Sequence, residues 1–290
     1  MAAYIYASMS GEDSIWVVDA DRFVPLRVIP LPRGSRPGSL ACNPREGALY
    51  CACRESVEVF DLLQGGRLRS LPLPGPDVVG MALSGANEIQ LLSNESSCIA
   101  TLDAQDGALY QVVPTALAPT RLETGHNGLV SVSGSVENEV RVYKQPRLLP
   151  LSRIRTPEQL LHAGLSPFGV LCHLQQPYHE GGLLALYTYR GRCQGRLRLH
   201  CPQARLRFDE PYARHLPAPA VIVSALNACT DPASLVGDVL VSRRYGLFLA
   251  HISSQELLHQ PFDGPVRRLP CGREPQGLLL VSSPSTLINA

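Results

Sequence analysis

Apolar residues recur along this chain in short runs of five or six that end on an acidic or turn residue. Ser14-Ile15-Trp16-Val17-Val18-Asp19, Val57-Glu58-Val59-Phe60-Asp61 and Cys98-Ile99-Ala100-Thr101-Leu102-Asp103 are three such runs, and their aspartates stand 42 residues apart twice in succession. A fourth copy, Glu139-Val140-Arg141-Val142-Tyr143-Lys144, carries lysine in place of the aspartate, and weaker copies begin at Leu183 and Leu247. Runs this short, bounded by turn residues, read as strands. A strand precedes each copy, as in Tyr4-Ile5-Tyr6-Ala7-Ser8 or Leu129-Val130-Ser131-Val132-Ser133, and a third follows it, as in Arg67-Leu68-Arg69-Ser70-Leu71. A fourth comes after a Pro/Gly turn, as in Ser39-Leu40-Ala41-Cys42. Helical periodicity is nearly absent, and only Pro157-Glu158-Gln159-Leu160-Leu161 suggests a turn of helix.

Four strands in a repeat of about 41 residues predict an all-β chain folded as a β-propeller, with one four-stranded blade per repeat. If the strand after each Pro/Gly turn is innermost, the inner strands fall near Leu40, Ala82, Leu122, Ala163, Val223 and Leu279, which makes six blades. Chain length divided by the repeat also admits seven. The first blade lacks an inner strand of its own, so Gln276-Gly277-Leu278-Leu279-Leu280-Val281 is expected to close the ring by pairing with the N-terminal strand. Such closure removes open sheet edges. Residues 1–290 then form a single domain, with a divergent or enlarged fifth blade at about 170–237. That segment holds the extra strand-like runs Arg196-Leu197-Arg198-Leu199-His200 and Ala204-Arg205-Leu206-Arg207-Phe208.

Within this pattern the stretch from Tyr4 to Cys53, which contains SGEDSIWVVDADRFVPLRVIPL, Gly34-Ser35-Arg36-Pro37-Gly38 and SLACNPREGALYCAC, resembles the YVTN-type propeller repeat. The resemblance is good over residues 4–145, fair over 146–190 and 238–282, and poor over 191–237. It implies a propeller related to lactonase-like propellers, and it specifies fold far more than activity.

Composition narrows the function classes. Apolar residues make up 45% and charged residues 18% of the chain, a globular balance. A formal net charge of +1 supplies no field for nucleic acid or an anionic membrane. The N-terminal residues lack the pattern of a signal peptide, and no apolar run is long enough to span a bilayer. Nine cysteines without regular spacing suit a reducing compartment, so the cytoplasm is expected; the chain is separately expected to be a monomer. Cys42, Cys51 and Cys53 read as core thiols rather than zinc ligands, because Cys-x-Cys within a strand is not a zinc spacing. His173, His179, His200 and His215 have no ligand spacing either.

No nucleophile elbow, HExxH, phosphate loop or Gly-x-Gly-x-x-Gly motif is present. Candidate chemistry is therefore sought on the loops around the channel mouth. The loops between second and third strands bring Glu12, Glu55, Glu95, Glu137 and Glu180, with Arg243 breaking the series. The loops into the inner strands bring Arg33, Arg36, Arg121 and Arg273. Together these ten form the candidate ligand-binding set. Arginines there suit a carboxylate or phosphate. The glutamates suit a cationic or polyhydroxylated ligand, or a divalent cation; otherwise no cofactor is called for. The leading expectation is a non-enzymatic propeller presenting this face to a protein or small ligand. The alternative is a lactonase-like hydrolase acting on a sugar lactone or ester.

Overall fold

The computed structural model describes residues 2–282 apart from 76, 86, 126–127, 167, 176–180, 202 and 209–216. Blade one contains β1 (Ala3–Met9), β2 (Ser14–Asp19) and β3 (Val24–Pro30); blade two contains β4 (Leu40–Asn43), β5 (Ala48–Ala52), β6 (Ser56–Asp61) and β7 (Arg67–Pro72). Blade three is β8 (Val78–Ser84), β9 (Glu88–Ser93), β10 (Cys98–Asp103) and β11 (Leu109–Pro114). Blade four is β12 (Pro119–Gly125), β13 (Leu129–Gly134), β14 (Glu139–Lys144) and β15 (Leu149–Arg155). Blade five is β16 (Gln159–Ser166), β17 (Gly169–Gln175), β18 (Gly182–Tyr187) and β19 (Cys193–Leu199). The next sheet has five strands: β20 (Gln203–Phe208), β21 (Leu235–Ser242), β22 (Gly246–His251), β23 (Glu256–Gln260) and β24 (Arg267–Pro270). Finally β25 (Pro275–Ser282) pairs antiparallel with β1, from Ala3 opposite Ser282 to Met9 opposite Pro275. The ring therefore has six blades and is closed by the two ends of the chain.

The blades stack through apolar faces. Tyr6, Ile15 and Val17 of blade one meet Leu40, Leu49 and Phe60 of blade two, while Val140 and Val142 of blade four meet Leu160, Ala163 and Val170 of blade five. Each fully buried aliphatic or aromatic side chain stabilises this stack by about 1.5–3 kcal/mol. Near the axis the inner strands pack almost backbone to backbone. A Cβ on Gly277 would stand 2.5 Å from the carbonyl oxygen of Gly38, so only glycine lets β25 approach blade two this closely.

The sixth sheet differs from its sequence-based description. Val223 lies on a helix, α1 (Pro219–Cys229), and not on an inner strand. The inner strand of the sixth four-stranded unit is β21, so the expected second strand at 238–242 is the first, and the weak copy at Leu247 is the second. Backbone conformation fixes this alignment. Gly47 and Gly128 take positive φ just before the second strands of their blades and Gly169 does so as the first residue of β17; Gly246 (φ 90°) likewise opens β22. Asp13, Ser97 and Asn138 take positive φ before the third strands, and Gln255 (φ 56°) does so before β23.

The strand-like run at 196–200 falls largely within β19, the ordinary outer strand of blade five. The run at 204–208 is β20, which pairs parallel with β21 on its channel side. A parallel pair needs a long crossover, and α1 lies within it. Pro219 opens α1, and its face of Ile222, Val223, Leu226 and Cys229 packs between blades five and six. Pro157–Leu161 does not form a helix; residues 159–161 begin β16.

Candidate functional site

Strand alternation sends Ala204 and Leu206 of β20 into the core beside blade five, and Arg205 and Arg207 into the channel. Gly164 permits this insertion, since a Cβ there would stand 2.8 Å from the carbonyl oxygen of Leu206. Above the two arginines opens a cavity of about 750 Å³, walled by residues 36–39, 52–55, 77–81, 120–123 and 276–277. Below them the channel widens again into about 440 Å³, and Met81, Leu122, Glu123 and Arg207 line both spaces.

The floor of the upper cavity is an ion network. Arg121 Nη1 donates to Asp238 Oδ1 at 3.0 Å, and its Nε donates to Glu123 Oε1 at 2.5 Å. Arg207 Nη1 stands 3.4 Å from Asp238 Oδ2 and donates to the Leu278 carbonyl at 2.9 Å. The Leu278 amide in turn donates to Asp238 Oδ2 at 3.2 Å. Burial alone would raise the Asp238 pKa, but Arg121, Arg205 and Arg207 together bring it down to about 2. Burial likewise opposes the charge of Arg121, yet Glu123 and Asp238 hold its pKa above the ordinary value. Arg205 is the exception. Burial lowers its pKa despite Asp238, whose Oδ1 is 3.5 Å from its Nε.

Of the ten residues expected at the mouth, Arg36, Glu55 and Arg121 line this cavity. Glu12 and Arg273 lie outside it on the rim, with Arg273 Nε 4.0 Å from Glu12 Oε1. Arg33 and Glu95 are exposed on their loops and do not line it. Glu137 turns to Arg141, whose Nη2 is 3.2 Å from Glu137 Oε2. Glu180 lies outside the described residues, as do His179 and His215. Arg243 belongs to the β21–β22 hairpin at the opposite end of the channel, where neighbouring Arg244 pairs with Asp21 at 3.0 Å. It was misplaced because the sixth unit was offset by one strand.

The loops between second and third strands have a bracing role. Asp13 accepts backbone hydrogen bonds from Arg36 (2.8 Å) and Gly34 (2.7 Å), and these hold its pKa below the ordinary value. Asn138 accepts from the Leu160 amide at 3.0 Å in the same way. The Asp13 brace fixes the segment that leads into β4, and the Asn138 brace fixes the start of β16.

Arg205, Arg207, Glu123 and Asp238 escaped the sequence reading. A legible signal was Arg205-Leu206-Arg207, charge alternating with apolar residues in a strand-like run. The β21 register was also legible in Gly246-Leu247-Phe248, which matches Gly128-Leu129-Val130 and Gly169-Val170-Leu171. His173 is buried against Ala204, whose amide stands 3.0 Å from its Nδ1, and His200 is hydrogen-bonded to Asn227. Among the described residues no group of three or more His, Cys, Asp or Glu is arranged to hold a metal ion. Nor is any helix there long and apolar enough to cross a membrane.

No protein-family profile matches the chain, and no curated protein matches it in sequence. Solved structures do match in fold. A Bacteroides caccae protein of unknown function is 13% identical, with 97% of this chain and 99% of that one covered and a TM-score of 0.61. Dihydro-heme d1 dehydrogenase NirN in complex with DHE is 16% identical, with 95% and 74% covered and a TM-score of 0.60. U3-55K is 14% identical, with 87% and 73% covered and a TM-score of 0.58. Similarity at this level, to proteins so differently described, shows that the chain has a β-propeller fold.

Proposed function

We propose that this protein is a binding propeller whose channel mouth takes a small ligand, and that it is a cytoplasmic relative of YVTN-type propellers. The observation that carries the reading is the cavity of about 750 Å³ above the arginine-rich floor, within the size range of small-molecule sites. Support for a reducing compartment comes from nine cysteines that are all free. A lactonase-like hydrolase needs two carboxylates free to act on a substrate in one concave site. Of the four described glutamates expected to supply them, Glu55 alone lines the cavity. Glu123 and Asp238, deeper in, are engaged by arginines. Asp77 lines the cavity as well, but it and Glu55 are both exposed at the rim, away from the enclosed floor, so binding is favoured over hydrolysis.

The test is thermal unfolding of the wild type and of Ser39→Trp, which fills the mouth, against a panel of small metabolites. The expected result is stabilisation of the wild type by at least one compound and no stabilisation of the variant. The reading fails if no compound stabilises the wild type, or if both proteins respond alike.

A further inference from the structure

The floor of the cavity holds more positive than negative charge. Arg121, Arg205 and Arg207 face two carboxylates, Glu123 and Asp238, all within the channel. Asp238 is already shared. It accepts from Arg121 and the Leu278 amide and lies against Arg207, so its attraction for Arg205 is divided. Arg207 is committed to the ring, donating to the Leu278 carbonyl and reaching the Leu40 carbonyl at 3.5 Å. What remains to Arg205 is the side-chain oxygen of Gln276 at 2.6 Å and the distant Asp238. A guanidinium has five N–H donors in a planar fork. Among the described residues, Arg205 thus has donors left over beside open space, and about one third of its side chain is exposed. A partly buried guanidinium with free donors facing a cavity attracts an anion, which can accept from those donors bidentately.

The rim adds Arg36 and Arg54, whose guanidinium groups make no ion pair among the described residues, while Glu55 and Asp77 flank them. The flanking carboxylates oppose an extended polyanion, and the depth of the site suits one compact group. We infer that the channel mouth seats an oxyanion, the carboxylate or phosphate of a small molecule, on the free side of the Arg205 guanidinium, with Arg36 and Arg54 closing over it. This rests on the binding reading above and adds the chemical class of the ligand.

The experiment is calorimetric titration at constant ionic strength with three probes: inorganic phosphate, glutarate, and pentane-1,5-diol as the uncharged counterpart of glutarate. Saturable binding of phosphate or glutarate to the wild type is expected, with the preferred probe naming the headgroup, and no binding of the diol. Arg205→Gln should weaken that binding at least tenfold. The double variant Arg36→Gln/Arg54→Gln, confined to exposed positions, should weaken it severalfold even if the first variant folds poorly. Arg273→Gln, outside the cavity, should bind as the wild type does. Unchanged affinity in both cavity variants overturns the inference. So does diol binding as strong as that of glutarate, although the binding reading would then survive. If none of the three probes binds, the anion inference falls, while a metabolite that stabilises the wild type but not Ser39→Trp still upholds the binding reading.

Discussion

Asp238 is the residue on which the channel floor turns. Its carboxylate is surrounded by Arg121, Arg205 and Arg207 and also takes the Leu278 amide. Its pKa in the fold is about 2, against an ordinary 3.8. Because the folded value is the lower one, its contribution is fully present above pH 4 and is lost as pH falls towards 2. At ~1.36 kcal/mol per pH unit the contribution is about 2–3 kcal/mol. Asp238→Asn should therefore flatten the acid limb of a stability–pH curve between about pH 4 and 2, as measured by chemical denaturation. At neutral pH the same variant should lose about 3–5 kcal/mol, because it strands buried arginines without their partner. Loss on this scale marks a position where the charge is needed by its neighbours; it does not make the original ion pair a large net source of stability.

Among the elements, β20 and α1 depart furthest from the repeat. β20 is held to β21 by parallel pairing and to β17 of blade five by His173, whose Nδ1 lies 3.0 Å from both the amide and the carbonyl of Ala204. Burial lowers the His173 pKa to about 4, while Ala204 opposes the shift. His162 on β16 meets the His173 ring edge-on at 5.2 Å, and burial, His173, Arg121 and Arg205 push it in the same direction. Both imidazoles are thus neutral in the fold and take protons more readily once unfolded. Stability should fall as pH drops from about 6.5 to 4, by about 3 kcal/mol for His173 alone. His173→Asn keeps a polar group near Ala204 and removes the titration, so its stability should vary less with pH across that window. Hydrogen exchange in β20 should quicken on acidification in the wild type and less so in the variant. An unchanged slope would count against His173 as the titrating clamp.

For the whole molecule, the ring depends on β25. This strand pairs with β1, packs against β21 and approaches blade two where Ser8 Oγ donates to the Gly38 carbonyl (2.7 Å) and accepts from the Gly277 amide (2.8 Å). Ending the chain after Glu274 opens blade one and exposes the inner edge of β1. The expected outcome is loss of the cooperative thermal transition and association through the freed edge, read by calorimetry and size-exclusion chromatography. Blade architecture and closure were legible in the sequence because both are written locally. Strands alternate, turns carry Gly, Pro and Asn, and the spacing between Asp19, Asp61 and Asp103 repeats. The order of the ring follows from that repetition alone, since each blade can bury its faces only against the next one. The floor of the site is written nowhere locally. Arg121 and Asp238 are 117 positions apart and meet only across the axis, and β20 enters the channel because it pairs with the free inner edge of β21, to which a long crossover joins it. Sequence by itself determined the repeating units and the strand that joins the ends. Tertiary structure decided which charges face one another in the channel, because their pairing depends on distances between blades that no local pattern encodes.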